Sequence, residues 1–435
     1  MGVTDKISDD GDTCSKVTLE TFREIFRSIE PDVEIDTFEE KQGSGQGDNY
    51  TATLYRAHLT GQQINATDGT IHKWEKSLIC KRIPDNVQRR EAYKSDKLFR
   101  SEVLFYMEIL PELLRFQSTK TAKVFAATPK CYYTREDLLI MEDLRIREFQ
   151  MPDRQKGLSI EETQLVLKEV AQFHALSLAY KFENPTQFNR LRELITEGLF
   201  CSSNTNWYKN YYDGLTKDAI KMVSDTLPEG SKYLDAMKKF VDCSTFFSQM
   251  VQLVSAETTL SAICHGDCWV NNFLYRYECA GDDVERKKAV DVCLIDFQLI
   301  RYSSIALDVA DILFCCTTKA IRDEHLNAFI KLYSSEVSGW LKILCTNIPE
   351  SFDTAEKFSQ LFWEELKTYG RFALGIALDI IPISTCSSEH APDMYLNMRP
   401  EGMEVGAPVL NFPPNDLCRQ KMSDIVVDMV DRGIL

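Results

Sequence analysis

The chain contains no Cys-x-x-Cys pair, although it carries 14 cysteines among 435 residues. Without a secretory signal, such scattered cysteines are expected to be reduced thiols rather than a disulfide framework. Cys264, His265 and Cys268 crowd together, but no second ligand pair stands at a spacing that suits zinc. Basic charge is also in short supply: 50 Lys and Arg face 66 Asp and Glu, for a formal net charge of −16. Nucleic acids and anionic membrane surfaces need a basic footprint, so neither is an expected partner. Long hydrophobic runs are missing too. The longest, near Phe372–Ile383, is broken by Asp379 and Pro382 and reads as a buried helix rather than a membrane span. The start, Met1-Gly2-Val3-Thr4-Asp5-Lys6, has no signal-peptide pattern, and Lys6 stands where myristoylation wants Ser or Thr. The expectation is a cytoplasmic globular chain, with no membrane, nucleic-acid or protein partner called for.

Hydrophobic residues make up 44% and charged residues 27%, enough at this length for one large core or two. Residues 1–15 are polar and acidic and read as a frayed terminus. Residues 16–143 read as a sheet with few helices. Leu19–Ile29 has helical periodicity; Val33–Glu39, Tyr50–Leu59, Ser77–Ile83, Lys130–Tyr133 and Leu138–Met141 read as strands, and Ala92–Leu114 as a helix. Thr60–Lys76, with Gly61, Asn65, Asp68 and Gly69, reads as a polar connector. From Leu144 to Leu435 helices dominate. Ile160–Tyr180 follows a Ser159 cap with Glu162 in the capping-box position. Further helices are expected at 215–226, 230–257, 304–317, 321–346, 354–380 and Asp416–Met429. Strands Phe273–Tyr277 and Val290–Ile295 flank a charged loop at Glu278–Lys288, and 384–412 is a Pro-, Ser- and Gly-rich loop. The fold class is therefore α+β, with a small β-rich lobe, a linker near Glu142-Asp143-Leu144, a larger helical lobe and a ligand cleft between them.

His265-Gly266-Asp267-Cys268-Trp269-Val270-Asn271-Asn272, followed by Leu294-Ile295-Asp296-Phe297-Gln298, carries the chemistry. Phosphoryl transfer from a magnesium nucleotide needs a carboxylate beside the acceptor hydroxyl, an oxygen ligand nearby and a second carboxylate on the metal. Asp267, Asn272 and Asp296 supply these in order, Asn272 and Asp296 as the metal ligands. Lys81 lies within an apolar strand and is costly to bury alone. Glu102, on the following helix, is its expected partner, the pair anchoring phosphates. Gly43, Ser44, Gly45 and Gly47 form a turn where backbone N–H groups can approach phosphate oxygens. Met141 and Glu142 stand where an adenine would dock.

Three further features are open to two readings each. His174 reads as a hydrogen-bonded core histidine, with a catalytic role as the rival. Asp308 reads either as an acceptor for the catalytic loop or as a helix cap. Trp207-Tyr208-Lys209-Asn210-Tyr211-Tyr212 reads either as core or dimer surface, or as aromatics lining an apolar acceptor pocket.

These residues resemble the insect ecdysteroid kinase-like (CHK kinase-like) family, related to choline kinases and aminoglycoside phosphotransferases. The resemblance rests on Gly47-Asp48-Asn49-Tyr50, Leu54-Tyr55-Arg56, Cys80-Lys81, Phe99 with Glu102 and Phe105-Tyr106, Glu142-Asp143-Leu144, Phe173-His174-Ala175, and His265 through Asn272. It extends through Ile295-Asp296-Phe297-Gln298, Asp308 and the ending Asp431-Arg432-Gly433-Ile434-Leu435. It implies a two-lobed protein-kinase-like fold that uses ATP and Mg2+ to phosphorylate a hydroxyl of a small, steroid-like or xenobiotic alcohol. Asp267 would be the base, Asn272 and Asp296 the magnesium ligands, and Lys81 with Glu102 the phosphate anchor. Cys268 departs from the leucine common in the family. A choline- or ethanolamine-type kinase and a catalytically silent nucleotide-binding regulator are the alternatives. A protein kinase is disfavoured: Gly266 and Gln298 replace its arginine and glycine, only 11 residues separate Asp296 from Asp308, and no Ala-Pro-Glu follows.

Overall fold

The computed structural model describes residues 17–43, 52–84, 87, 90–91, 94–204, 207–280, 283–386 and 415–435. The expectations for 1–15, for Ser44, Gly45 and Gly47, and for most of 384–412 lie outside the described residues. The chain divides into two compact units, at Phe99/Arg100 and again around Lys130–Asp143, which joins the N-terminal unit.

The N-terminal unit is a five-stranded antiparallel sheet with one helix on it. Its elements are α1 (Leu19–Ile29), β1 (Val33–Gln42), β2 (Thr53–Ile64), β3 (Ile71–Arg82), β4 (Cys131–Arg135) and β5 (Leu138–Glu142). The strand order is β1-β2-β3-β5-β4. Thr18 caps α1 through its hydroxyl, which accepts from the Thr21 N–H at 3.2 Å. The helix lays Phe22, Ile25 and Phe26 on a sheet face made by Ala57, Leu59, Leu78, Cys80, Leu138 and Ile140. Side chains alternate along a strand, so Lys81, next to Cys80, points to the opposite face.

Thr60–Lys76 is not a connector. β2 and β3 continue through it as a hairpin that closes at the Ile64–Ile71 pair. Gly61 marks close backbone approach rather than a loop: a Cβ there would lie 2.1 Å from the Glu34 carbonyl oxygen, beside the bulge in β1.

The C-terminal unit contains the end of α2 (Ser95–Leu104), a π-helical turn at Phe105–Ile109, and α3 (Leu110–Ser118). Then come α4 (Ile160–Glu183), α5 (Pro185–Leu194), α6 (Trp207–Ser224), α7 (Lys232–Phe240) and α8 (Phe246–Ser255). Four strands follow: β6 (Ser261–Cys264), β7 (Phe273–Ala280), β8 (Asp283–Leu294) and β9 (Arg301–Ser304). The remaining helices are α9 (Ala306–Ala310), α10 (Lys319–Leu344), α11 (Ala355–Tyr369), α12 (Phe372–Thr385) and α13 (Asp416–Asp431).

Ser159 and Glu162 form the expected capping box at the start of α4, with N–H···O distances of 3.2 and 2.7 Å. Several expected boundaries move. The 230–257 helix is two helices, and the 354–380 helix breaks at Gly370, whose N–H bonds back to the Leu366 carbonyl at 2.8 Å. The 304–317 helix is one short α segment running into a π turn at Asp311–Cys315. The charged loop at Glu278–Lys288 is instead the end of the β7–β8 hairpin, registered through Glu278–Lys288 and Cys279–Lys287. The apolar run from Phe372 forms α12, largely buried. Among the described residues no helix is long and apolar enough to cross a membrane. The class is α+β, sheet-rich at the N-terminus and helical beyond.

Candidate active site

Strand β6 pairs with β9, Cys264 opposite Arg301, and the chain leaving β6 makes the tight loop that carries Asp267. Gly266 is what allows it. Its φ is +84°, and a Cβ would sit 1.9 Å from the Leu299 carbonyl oxygen. A side chain cannot fit without moving backbone.

The loop is held from below by Asp308. One carboxylate oxygen accepts from the His265 N–H at 2.6 Å, the other from the Gly266 N–H at 3.0 Å. Asp308 also accepts from His174 Nε2 at 3.1 Å, and His174 Nδ1 accepts from the Tyr333 hydroxyl at 2.8 Å. A carboxylate only accepts, which assigns the His174 proton to Nε2. Burial pushes the Asp308 pKa up, but hydrogen bonds and charge from His174, His265 and Gly266 more than offset this and hold it below the ordinary carboxylate value. Of the two readings for Asp308 the loop acceptor is therefore the observed one, and His174 is a core histidine supporting it. His174, Cys264 and Asp308 bring their polar atoms within 4.8 Å of one another. These groups are occupied: Asp308 by the loop and His174, and the Cys264 thiol by the Ser303 carbonyl at 3.4 Å.

His265 faces the other way. Its Nε2 donates to the Ile295 carbonyl at 3.0 Å, and its Nδ1 accepts from the Asp267 N–H at 3.3 Å. This is a neutral ring, and burial lowers its pKa accordingly. Its ring lies 4.4 Å from that of Phe297, which stacks on Phe105 at 3.8 Å and 9°. Phe297 thus locks the turn carrying Asp296 onto the helical core.

Asn272 Nδ2 donates twice to Asp267, to its main-chain oxygen and to Oδ2, each at 2.9 Å. Both amide hydrogens are spent, so Oδ1 of Asn272 is left as an oxygen ligand. The Asn272 carbonyl accepts from the Ile295 N–H at 3.0 Å, which sets Asp296 beside the same loop. Asp296 adopts a left-handed backbone, φ +67° and ψ +64°, a strained state for a residue other than glycine. Asp267 is half-buried. Burial first, and the charge of Asp296 next, push its carboxyl up to about 7, against the Asn272 hydrogen bond and the Arg301 charge.

A carboxylate whose proton affinity is raised by a second carboxylate, with a spare amide oxygen beside it, suits a hard divalent cation. The donor set is all oxygen, as magnesium prefers.

The other expected residues are distributed as follows. In the N-terminal unit Lys81 is 3% exposed on β3, between Leu54 and Leu139 on neighbouring strands. Met141 and Glu142 end β5, opposite Ile79 and Leu78. Asp143 follows, and accepts from Arg56 Nε at 2.7 Å and from the Ser77 hydroxyl at 2.8 Å. That links the Leu54-Tyr55-Arg56 and Glu142-Asp143-Leu144 motifs physically. Gly43 donates its N–H to the Leu54 carbonyl at 2.8 Å. In the C-terminal unit Glu102 is 1% exposed.

Sequence reasoning missed Arg301 and Asp379. Arg301 is 2% exposed, as costly a place for a cation as the one that drew attention to Lys81. Asp379 was in view only as the interruption of the longest apolar run.

Small-molecule phosphotransferases of the kinase-like class place an acid, an amide and a second acid in this order. A model of the ecdysteroid kinase-like family matches residues 46–346, or 301 of 435, and the chain belongs to that family. No curated protein matches the chain by sequence. Among solved structures, the GDP complex of a mutant aminoglycoside 2'-phosphotransferase IIIa is similar at 14% identity and TM-score 0.33, covering 83% of this chain and 91% of its own. The streptomycin–ATP complex of APH(2")-IIa is similar at 14% identity and TM-score 0.26, with coverages of 83% and 91%. A protein assigned as a fructosamine-3-kinase from Thermobifida fusca is similar at 14% and 0.28, with coverages of 81% and 97%. These are distant likenesses, and the family match is what bears on function.

Proposed function

We propose that this protein transfers the γ-phosphoryl group of ATP to a hydroxyl of a small, steroid-like or xenobiotic alcohol. The observation that carries the reading is the Asp267–Asn272 pair, joined by two hydrogen bonds that leave one oxygen of each side chain outward. Asn272 Oδ1 and the Asp296 carboxylate hold magnesium in this reading. When bound, the ion draws negative charge from the β- and γ-phosphate oxygens. Asp267 orients the acceptor hydroxyl and takes its proton on Oδ1, because Oδ2 is held by Asn272. The new O–P bond forms as the bond to the leaving ADP breaks, and the proton remains on Asp267. The transition state is loose, so holding the hydroxyl in line matters more than early deprotonation. Lys81 and Glu102 serve as phosphate anchors, Gly43 and its neighbours as the phosphate-covering turn, and Met141 and Glu142 as the adenine contacts.

The test is turnover of Mg·ATP with a panel of polyhydroxylated steroids, phenolic alcohols, choline and ethanolamine. ADP release and phosphorylated product are measured together. Product with a neutral alcohol supports the reading. Product with choline alone moves the protein to the amino-alcohol kinases, and no product with any alcohol contradicts phosphotransfer.

A further inference from the structure

Helices α10 and α11 pack antiparallel, and the seam between them is closed on one side and open on the other. Tyr333 of α10 fills the closed side, its ring 6.4 Å from that of Phe358 and 4.9 Å from that of Phe362 on α11. The Ser338 hydroxyl donates to the Phe352 carbonyl at 3.3 Å, just ahead of α11, and so fixes the register. On the open side the facing residues are small. Ser335 on α10, and Ala355 and Ser359 on α11, stand where larger side chains would interdigitate, and they leave a groove of about 730 Å³. A concavity of that size suits a small molecule.

The groove runs along residues 327–335 of one helix and 355–363 of the other, a length of about 12 Å. Its floor is apolar at the buried Ile330, and the half-buried indole of Trp363 walls one end. The rim is polar and carries one charge of each sign, Lys331 from α10 and Glu356 from α11. Asn327 and Gln360 add two amides. Among the described residues none of these four side chains makes a hydrogen bond or an ion pair. Neighbouring charges on α11 do: Lys357 pairs with Glu350 and Asp353, and Lys367, whose Nζ lies 6.0 Å from the Trp363 ring centroid, pairs with Glu364.

Lys331 and Glu356 therefore line one groove with opposite charge and do not pair with each other. A simple anion there meets Glu356, and a simple cation meets Lys331. A purely apolar ligand leaves the polar rim without partners. The ligand that matches all of these groups carries both charges and a flat apolar part.

We propose that the groove between α10 and α11 binds a small zwitterion bearing an aromatic ring, the chemistry of an aromatic amino acid or of a dipeptide that contains one. The ring lies against Trp363 over Ile330, the carboxylate meets Lys331, and the ammonium turns toward Glu356. The site is separate from the catalytic loop, and its occupancy does not rest on the phosphotransfer reading. It shares a helix with the support of that loop: Tyr333, two residues from Lys331 and on the other side of α10, donates to His174, which donates to Asp308.

The test is ligand-observed NMR titration of the full chain with L-tryptophan and glycyl-L-tryptophan. Three partial probes accompany them: tryptamine lacks the carboxylate, N-acetyl-L-tryptophan lacks the ammonium, and L-alanine lacks the ring. The better of the two complete probes binds with a Kd of about 1 mM or tighter, and each partial probe binds about threefold more weakly or worse. Lys331→Met weakens the complete probe about threefold or more and changes tryptamine less than about twofold. Glu356→Gln has the same effect on the complete probe and changes N-acetyl-L-tryptophan less than about twofold. Both residues are exposed, so the variants keep the wild-type fold, which thermal unfolding checks. Absence of saturable binding of both complete probes up to about 10 mM overturns the proposal. So does binding that both variants leave unchanged, or a loss that is as large for the probe lacking the matching charge.

Discussion

In the proposed phosphotransfer Asp267 offers one carboxylate oxygen to the acceptor, because Asn272 holds the other. A hydroxyl must therefore approach from a single direction, which is the positioning that a loose transition state rewards. Asp267→Asn keeps the shape and removes the proton acceptor. Turnover is expected to fall about 10²- to 10⁴-fold, with Mg·ATP affinity nearly unchanged by calorimetry. Unchanged turnover would remove Asp267 from the mechanism. Gly266 matters for a different reason, since its positive φ and its contact with the Leu299 carbonyl exclude any Cβ. Gly266→Ala is expected to destabilise the protein by roughly 2 kcal/mol or more, and to lower turnover further than the stability loss explains. Denaturant titration beside kinetics separates the two effects.

Elements meet at a few charged joints, and Glu183 at the end of α4 is one. It accepts from Lys120 Nζ, after α3, at 2.8 Å, and from the Thr346 N–H, after α10, at 2.8 Å. The Lys120 hydrogen bond first, and those of Thr346 against the cost of burial, lower its pKa from 4.5 to about 2. A depressed carboxyl contributes stability above its unfolded pKa and loses it as pH falls through the folded value. The stability gap between wild type and Glu183→Gln should thus be constant from neutral pH down to about 5, and shrink below the ordinary glutamate value. A gap that widens on acidification would contradict this. Elements also show what could be read in advance. The Asp267 loop, the Ser159 capping box and the buried helix from Phe372 were legible because each depends on neighbours in sequence. The Thr60–Lys76 hairpin was not. In the Ile71–Lys76 half of β3 Trp74 packs on Phe26 of α1 while most of the other side chains are exposed, so apolar alternation is missing, and Gly61 imitates a turn. Arg301 lies far in sequence from the loop it joins, and only the β6–β9 pairing places it under Gly266.

At the scale of the whole molecule, cohesion is apolar and reduced. The 13 cysteines of the described residues are free, and most of them are buried. Thermal unfolding is therefore expected at the same temperature with and without a thiol reductant; a clear drop on reduction would reveal a stabilising disulfide. In the proposed reaction magnesium supplies counter-charge for a triphosphate bound to a protein of net charge −16. Everything proposed about the chemistry requires Asn272 and Asp296 to share that ion. The direct measurement is anomalous diffraction from crystals grown with Mn2+ and ATP, manganese standing in for magnesium. The account predicts a peak about 2.0–2.2 Å from Asn272 Oδ1 and from an Asp296 carboxylate oxygen. A metal–nucleotide peak bound elsewhere, with neither residue in its coordination sphere, would contradict it.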